Sequence, residues 1–223
     1  KKADMVFTDP PYNVDYGANK NHPSHKIRSI ENDKMSETDW DQFVIGYMNS
    51  IFQICDENIY ITMSDKELGH MQSTFRHCGG KWASFIIWVK DSLVLSAKDY
   101  HSRHETIMYG WKEGCEGRQR LEDRTQDDVW EINRPKRSDE HPTMKPIELV
   151  ERAIKNSSRT NEIIGDLFLG SGTTMVAAHQ LKRRCYGMEL DPKYCQVIID
   201  RMTKLDPTLS VKINGNEYVK TAD

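Results

Sequence analysis

Residues 162–174 restrict the fold most narrowly: Glu162-Ile163-Ile164-Gly165-Asp166-Leu167-Phe168-Leu169-Gly170-Ser171-Gly172-Thr173-Thr174. A short apolar run enters two glycines one residue apart, and helix-forming residues follow through Leu181. That is a strand, a tight turn and a helix start. A strand that feeds directly into a helix belongs in a parallel sheet, because parallel neighbours need a long crossover.

The rest of the chain repeats the alternation. Ala3 to Phe7 reads as a short buried strand, stopped by Pro10 and Pro11. Residues 13–38 are polar and read as a long loop. From a cap at Thr38 or Asp39, Trp40, Phe43, Val44, Tyr47, Met48, Ile51 and Phe52 recur at helical spacing. Strands are expected over 58–63, 84–89, 106–109, 162–168 and 184–190. Helices are expected from Ser64 or Asp65 to His77, from Pro146, after Gly172, and from Pro192 to about Leu205. Gly79-Gly80 ends the second helix, 110–140 reads as irregular, and Asn214-Gly215 marks a small hairpin. The expected fold class is α/β: a Rossmann-like, mainly parallel twisted sheet with helices on both faces.

The 223 residues suit a single domain, residues 1–223, with an inserted region over about 91–140. The hydrophobic fraction is 37%, and no apolar run is long enough to span a bilayer. Five cysteines without a CxxC pair argue against a disulfide framework or structural zinc and suit a reducing, cytoplasmic setting. His22, His25, His101 and His104 match no strong metal spacing, so no metal is expected. The net charge of −3 does not advertise nucleic-acid binding, and a local basic face remains compatible with it. The chain enters a strand at once without an initiator Met, so a piece of a longer polypeptide, or a mature or trimmed form, is expected.

The glycine turn identifies a ligand class. Glu189 ends the next strand, seventeen residues beyond Gly172, where a carboxylate can accept from two ribose hydroxyls. Met175 stands where a dinucleotide fingerprint needs a third glycine, and no Gly-Lys-Ser/Thr phosphate loop is present. Asp166 before the turn repels a pyrophosphate and suits a cationic amino group. S-adenosylmethionine carries an ammonium, a sulfonium and a ribose and no phosphate, and meets each condition. The bland alternative is an ordinary strand-to-helix turn.

Asp9-Pro10-Pro11-Tyr12 describes a second pocket. The prolines fix φ and remove two donors, leaving the carbonyls of Asp9 and Pro10 as acceptors. The Asp9 carboxylate adds more, and Tyr12 offers a flat face for stacking. Such a loop suits an exocyclic amino group on an aromatic ring. Accepting both of its hydrogen bonds draws the nitrogen lone pair out of conjugation. The two loops are expected to line one crevice.

On these segments the chain resembles the S-adenosylmethionine-dependent DNA amino-methyltransferases of the β class, in which the Asp-Pro-Pro-Tyr segment precedes the glycine segment. His141-Pro142-Thr143-Met144-Lys145-Pro146 matches a third segment of that class. The stretches Trp88-Val89-Lys90-Asp91 and His104-Glu105 are similar to phage and bacterial methylases attached to an N-terminal nuclease-like domain, and so imply an additional N-terminal domain in the full-length protein. The resemblance implies a circularly permuted motif order, double-stranded DNA as substrate and a homodimer. It implies cofactor contacts from His141, Thr143, Lys145, Asp166, Phe168, Gly170, Ser171, Gly172, Thr173, Thr174, Glu189 and Asp191. Asp9, Pro10, Pro11 and Tyr12 are the expected catalytic residues. Leu167 replaces the proline common at its position.

The implied reaction is in-line transfer to N6 of a flipped adenine. Cytosine N4 remains an alternative, as do an RNA or protein amino-methyltransferase and an inactive DNA-binding subunit. DNA contacts are expected from 13–38 and 91–140. The second holds or adjoins Lys90, Lys98, Arg103, Arg118, Arg120, Arg124, Arg134, Lys136 and Arg137, with Tyr100, Trp111 and Trp130 among them. Residues 112–137 carry as many acids as bases, so a solvated surface loop is the competing reading. Lys182-Arg183-Arg184 reads as a solvated turn.

Overall fold

A computed structural model describes residues 2–13, 34–95, 99–115, 118–135 and 144–218. Among these residues seven strands form one sheet in the order β5-β3-β4-β2-β1-β6-β7. In chain order they are β1 (Met5–Thr8), β2 (Asn58–Met63), β3 (Gly80–Val94), β4 (Ser102–Lys112), β5 (Val129–Glu131), β6 (Ile163–Asp166) and β7 (Arg184–Gly187). Strand β1 pairs in parallel with both β2 and β6, and β6 with β7. Only β4 runs against its neighbours, β2 and β3. The sheet is therefore mainly parallel, as the alternation of strands and helices predicts.

Among the described residues five α-helices complete the layers: α1 (Glu37–Ile54), α2 (Leu68–His77), α3 (Ile147–Ser157), α4 (Thr173–Gln180) and α5 (Pro192–Leu205). The period of two in the strands decides which face each helix covers. Val6, Ile59 and Ile61 pack with α1 and α2 through Val44, Met48, Ile51 and Phe75. Met5, Phe7 and Tyr60 point the other way and pack with α3 and α4 through Leu149, Val150, Ala153 and Ala177. Both faces of β1 and β2 are covered, which explains their continuous apolar sequences. Among the described residues no helix is long and apolar enough to cross a membrane.

Several local expectations are corrected. Ser36 caps α1, its hydroxyl accepting from the Asp39 N–H, so Thr38 and Asp39 lie in the first turn. Gly79, at φ 89°, ends α2, whereas Gly80 already belongs to β3. Strands β3 and β4 outrun their apolar centres to form a long hairpin, because ladder pairing continues through polar residues. Strand β7 stops at Gly187, where a Cβ would meet Leu169 at 2.8 Å. Residues 110–140 hold a strand that sequence periodicity did not reveal, the three-residue β5. Residues 91–140 therefore contribute β4 and β5 to the sheet itself. The hairpin at Asn214-Gly215 forms, both residues at positive φ.

The glycine turn depends on one side-chain deletion. Gly172 sits at φ 79° as the cap of α4, and a Cβ there would lie 2.9 Å from Ile198 Cγ1. Gly172→Ala meets both backbone strain and overpacking, and is expected to cost about 2–4 kcal/mol. Gly46→Ala is the control: it lies on an exposed face of α1 with no neighbour within 4 Å. It should stabilise by about 0.5–1 kcal/mol. Denaturant midpoints of the two variants measure the difference.

Candidate active site

Parallel pairing brings two loops to one end of the sheet. Met5 and Val6 of β1 lie opposite Ile164 and Gly165 of β6, so both strands leave the sheet side by side. Thr8 ends β1 and donates its hydroxyl to Asp166 Oδ1 at 2.8 Å. The residue after Thr8 is Asp9, and the turn after Asp166 is the glycine turn. The crossovers from these strands diverge to opposite faces, which makes this junction the point where α/β sheets bind ligands.

Asp166 is 4% exposed, and its carboxylate accepts from Thr8, Thr174 and the Phe168 N–H. All three are neutral donors. Burial pushes its pKa up to about 6 against those bonds, with the negative Asp9 nearby adding to the rise. A buried carboxylate in that condition is matched to a cationic ligand.

Glu189 closes the glycine turn. Its Oε2 accepts from the Gly170 N–H at 2.7 Å and its Oε1 from the Asp191 N–H at 2.8 Å. Each carboxylate oxygen has a second lone pair for a ribose hydroxyl. Asp191 caps α5, its Oδ1 accepting from the Lys193 N–H at 2.8 Å. Phe168 packs edge-on against Tyr47 and tilted against Phe43, both on α1. Ser171 and Thr173 face Arg201 of α5, which donates to the Ser171 carbonyl at 2.5 Å and hydroxyl at 3.0 Å and to the Thr173 hydroxyl at 3.4 Å. Arg201 ties the turn to α5. No sequence motif marks it.

Asp9 stands in a ring of donors. Its Oδ1 accepts from the Tyr12 hydroxyl at 2.7 Å and from the Thr62 hydroxyl. Its Oδ2 takes Lys145 Nζ at 2.8 Å. Lys145, just before α3, also lies 3.0 Å from Glu105 Oε2, and Glu105 Oε1 accepts from Lys90 Nζ at 2.7 Å. Cation and anion alternate from the β3–β4 hairpin to the loop after β1: Lys90, Glu105, Lys145, Asp9. Burial alone would lower the Lys145 pKa, but Asp9 and Glu105 overrule it and raise it well above the usual lysine value. Burial alone would raise Glu105, but Lys145 and Lys90 hold it down at about 2. Burial and then Asp9 push the Tyr12 phenol well above its usual value.

The expected catalytic segment is thus assembled beside the expected cofactor turn. Pro10 is buried, and Pro10, Pro11 and Tyr12 line a narrow cleft shared with Trp40 and Thr62. One face of the Tyr12 ring carries Lys145 Nζ, 5.5 Å from its centroid. Lys145, expected at the cofactor, has its ion pairs with Asp9 and Glu105. His141 and Thr143 lie outside the described residues, as do 14–33 of the long loop and Lys98, Lys136 and Arg137.

Sequence reasoning missed Thr8, Thr62, Glu105 and Lys90 as parts of this site. A signal existed for Lys90. Ile86, Trp88 and Lys90 share the inward parity of β3, and Lys90 is 7% exposed, so a carboxylate had to meet it. That removes Lys90 from the expected DNA contacts. Trp130, at 2% exposure, is likewise a core residue and not a stacking platform. Arg118 covers Trp111 at 3.5 Å, whereas Tyr100 is 90% exposed.

The model of the family described as DNA methylase matches residues 3–200. The type II methyltransferase M2.LlaDCHI of Lactococcus lactis subsp. cremoris is 27% identical over 230 residues, covering 92% of this chain and 83% of that protein. M2.DpnII of Streptococcus pneumoniae is 27% identical over 228 residues, 91% of this chain and 83% of its own. Two solved structures share the fold. The M1.HpyAVI–SAM complex has a TM-score of 0.65 at 21% identity, covering 90% of this chain and 89% of that one. The cytosine-N4-specific PvuII DNA methyltransferase has a TM-score of 0.71 at 16% identity, covering 94% and 82%. With the family match spanning nearly the whole sequence, the chain belongs to the DNA methylase family.

Proposed function

We propose that this DNA methylase transfers the methyl group of S-adenosylmethionine to the N6 amino group of an adenine flipped out of double-stranded DNA. The observation that carries the reading is the junction of β1 and β6, where Thr8 links the Asp166 turn to the Asp9 loop. Asp166 suits the cofactor's ammonium, Glu189 its ribose, and the Asp9–Tyr12 loop the target amino group. Relatives named as type II methyltransferases, and a fold neighbour determined with the cofactor bound, support the same reading. It goes with a bacterial cytoplasmic setting, and with DNA contacts from the exposed part of the β3–β4 hairpin. Adenine is preferred by analogy with the family, whose cytosine-N4 enzymes often begin this loop with Ser where this chain has Asp9.

S-adenosylmethionine supplies an activated methyl group. With the cofactor bound, the target nitrogen would displace the thioether at that carbon, one carbon–nitrogen bond replacing one carbon–sulfur bond, and the resulting ammonium would give up one proton to solvent water. Asp9 and the Pro10 carbonyl accept from the amino group, and Tyr12 packs against the base. The positive sulfonium is consumed in the transfer, so acceptors on the target side stabilise the positive charge that moves to nitrogen.

The test uses unmethylated duplex DNA and methyl-labelled S-adenosylmethionine, followed by digestion and mass spectrometry of the nucleosides. Label in N6-methyladenine is expected. Label in N4-methylcytosine corrects the base and keeps the chemistry, and label only in RNA or protein overturns the substrate. Asp9→Ala is expected to lower kcat by about 10²-fold or more while cofactor affinity changes little.

The pH dependence follows from Asp166. Its folded pKa of about 6 lies above the ordinary carboxylate value, so the folded state keeps a proton that the unfolded chain has released. Stability therefore falls as pH rises through the window up to about 6 and is level above it. A cationic ligand selects the ionised carboxylate, so cofactor affinity falls as pH drops below 6. Calorimetric titration should show affinity about tenfold weaker at pH 5 than at pH 7. Asp166→Asn should bind more weakly at pH 7 and lose that pH dependence.

A further inference from the structure

The reaction as proposed uses Asp9 and leaves two charged residues unexplained, the buried Lys90 and the half-buried Glu105. Lys90 and Glu105 face each other at the foot of the β3–β4 hairpin, and Glu105 touches Lys145. Isolated buried charges are costly, and a pair of aliphatic side chains would fill the same space at less expense. Their position suggests what they do. An ionised carboxylate offers about four lone-pair sites. Asp9 has three of them taken, by Tyr12, Thr62 and Lys145. One site is left for the target amino group, and the direction of Lys145 decides where that site points. Lys145 is a flexible four-carbon chain, and Glu105 supplies its second anchor.

We propose that Glu105, itself fixed by Lys90, is a positioning residue for methyl transfer: it holds the Lys145 ammonium on Asp9 Oδ2 so that the remaining Asp9 lone pair faces the target amino group. The inference deepens the proposed function and rests on Asp9 as acceptor. Lys90 lies on β3 and Glu105 on β4, while Asp9 and Tyr12 follow β1. The ion pairs thereby link the hairpin to the acceptor loop. Misplacing a reacting group by about 1 Å can cost about 10²-fold in rate.

The test compares wild type, Glu105→Gln, Glu105→Asp, Lys90→Met, and Lys90→Met combined with Glu105→Gln, on unmethylated duplex DNA. Far-ultraviolet dichroism and thermal melting establish that each is folded. Glu105→Gln is expected to lower kcat by about 30–100-fold, with S-adenosylhomocysteine affinity and DNA KM unchanged. Glu105→Asp should recover part of kcat. The titratable groups facing Lys145 are Asp9 and Tyr12 from the first loop and Glu105 from β4, with Lys90 behind Glu105. Losing one carboxylate lowers the Lys145 pKa, so Glu105→Gln should bring the alkaline fall of kcat to lower pH. A purely packing role would leave that limb in place. If Glu105→Gln does not fold, the combined variant, which leaves no unpaired Lys90 charge, gives the same readouts.

Wild-type kcat and an unmoved alkaline limb in folded Glu105→Gln, with Asp9→Ala inactive, overturn this inference and leave the proposed function standing. Weaker cofactor binding with unchanged kcat also overturns it, by moving Lys145 to the cofactor. Full activity in Asp9→Ala overturns the proposed function itself.

Discussion

The parallel pairing of β1 with β6 is the constraint on which the rest of the site depends. It places Thr8 beside Asp166 and delivers two loops of unlike chemistry to one end of the sheet. The register is fixed because both faces of β1 are buried, Val6 on one side and Met5 and Phe7 on the other. A slip by one residue would exchange those faces and carry Asp9 away from its partners. Pro10 and Pro11 then end the pairing, and Gly170 and Gly172, both at positive φ, turn the second loop back into α4.

The two carboxylates at this junction are set to opposite tasks by their surroundings. Asp9 meets a cation and two hydroxyls, so its charge is balanced within the protein. Asp166 meets neutral donors in a buried place. One is a stable acceptor, and the other is completed by a positive ligand. This division matches a reaction in which a cationic cofactor meets a neutral amine. Lys145 serves the same division, because its ammonium pairs with two carboxylates at close quarters, Asp9 and Glu105.

Much of this was legible in the sequence, wherever the information is local. Prolines and glycines mark Asp9–Tyr12 and Gly170–Gly172 because they act on the backbone directly. The helical stripe from Trp40 to Phe52 reports burial through its own spacing. What the sequence hid depends on partners far along the chain. Glu105 reads as an ordinary strand residue until β3 and β4 pair and Trp88 comes opposite it. Arg201 reads as one more surface cation on α5 until the glycine turn is folded against it. Trp130 looked like a stacking surface because its neighbours are charged. It is core because the three-residue strand β5 pairs with β3. Lys145 was assigned to the cofactor by its motif, and its ion pairs with Asp9 and Glu105 emerge only in three dimensions.

The most direct test of the account is a crystal structure of the protein with S-adenosylhomocysteine and a duplex containing its methylation site. The account predicts a flipped adenine whose N6 lies within hydrogen-bond reach of Asp9 and the Pro10 carbonyl, with the cofactor's amino group on Asp166 and its ribose on Glu189. A cofactor bound away from the Asp166 turn, or a target base seated away from the Asp9–Tyr12 loop, would contradict it.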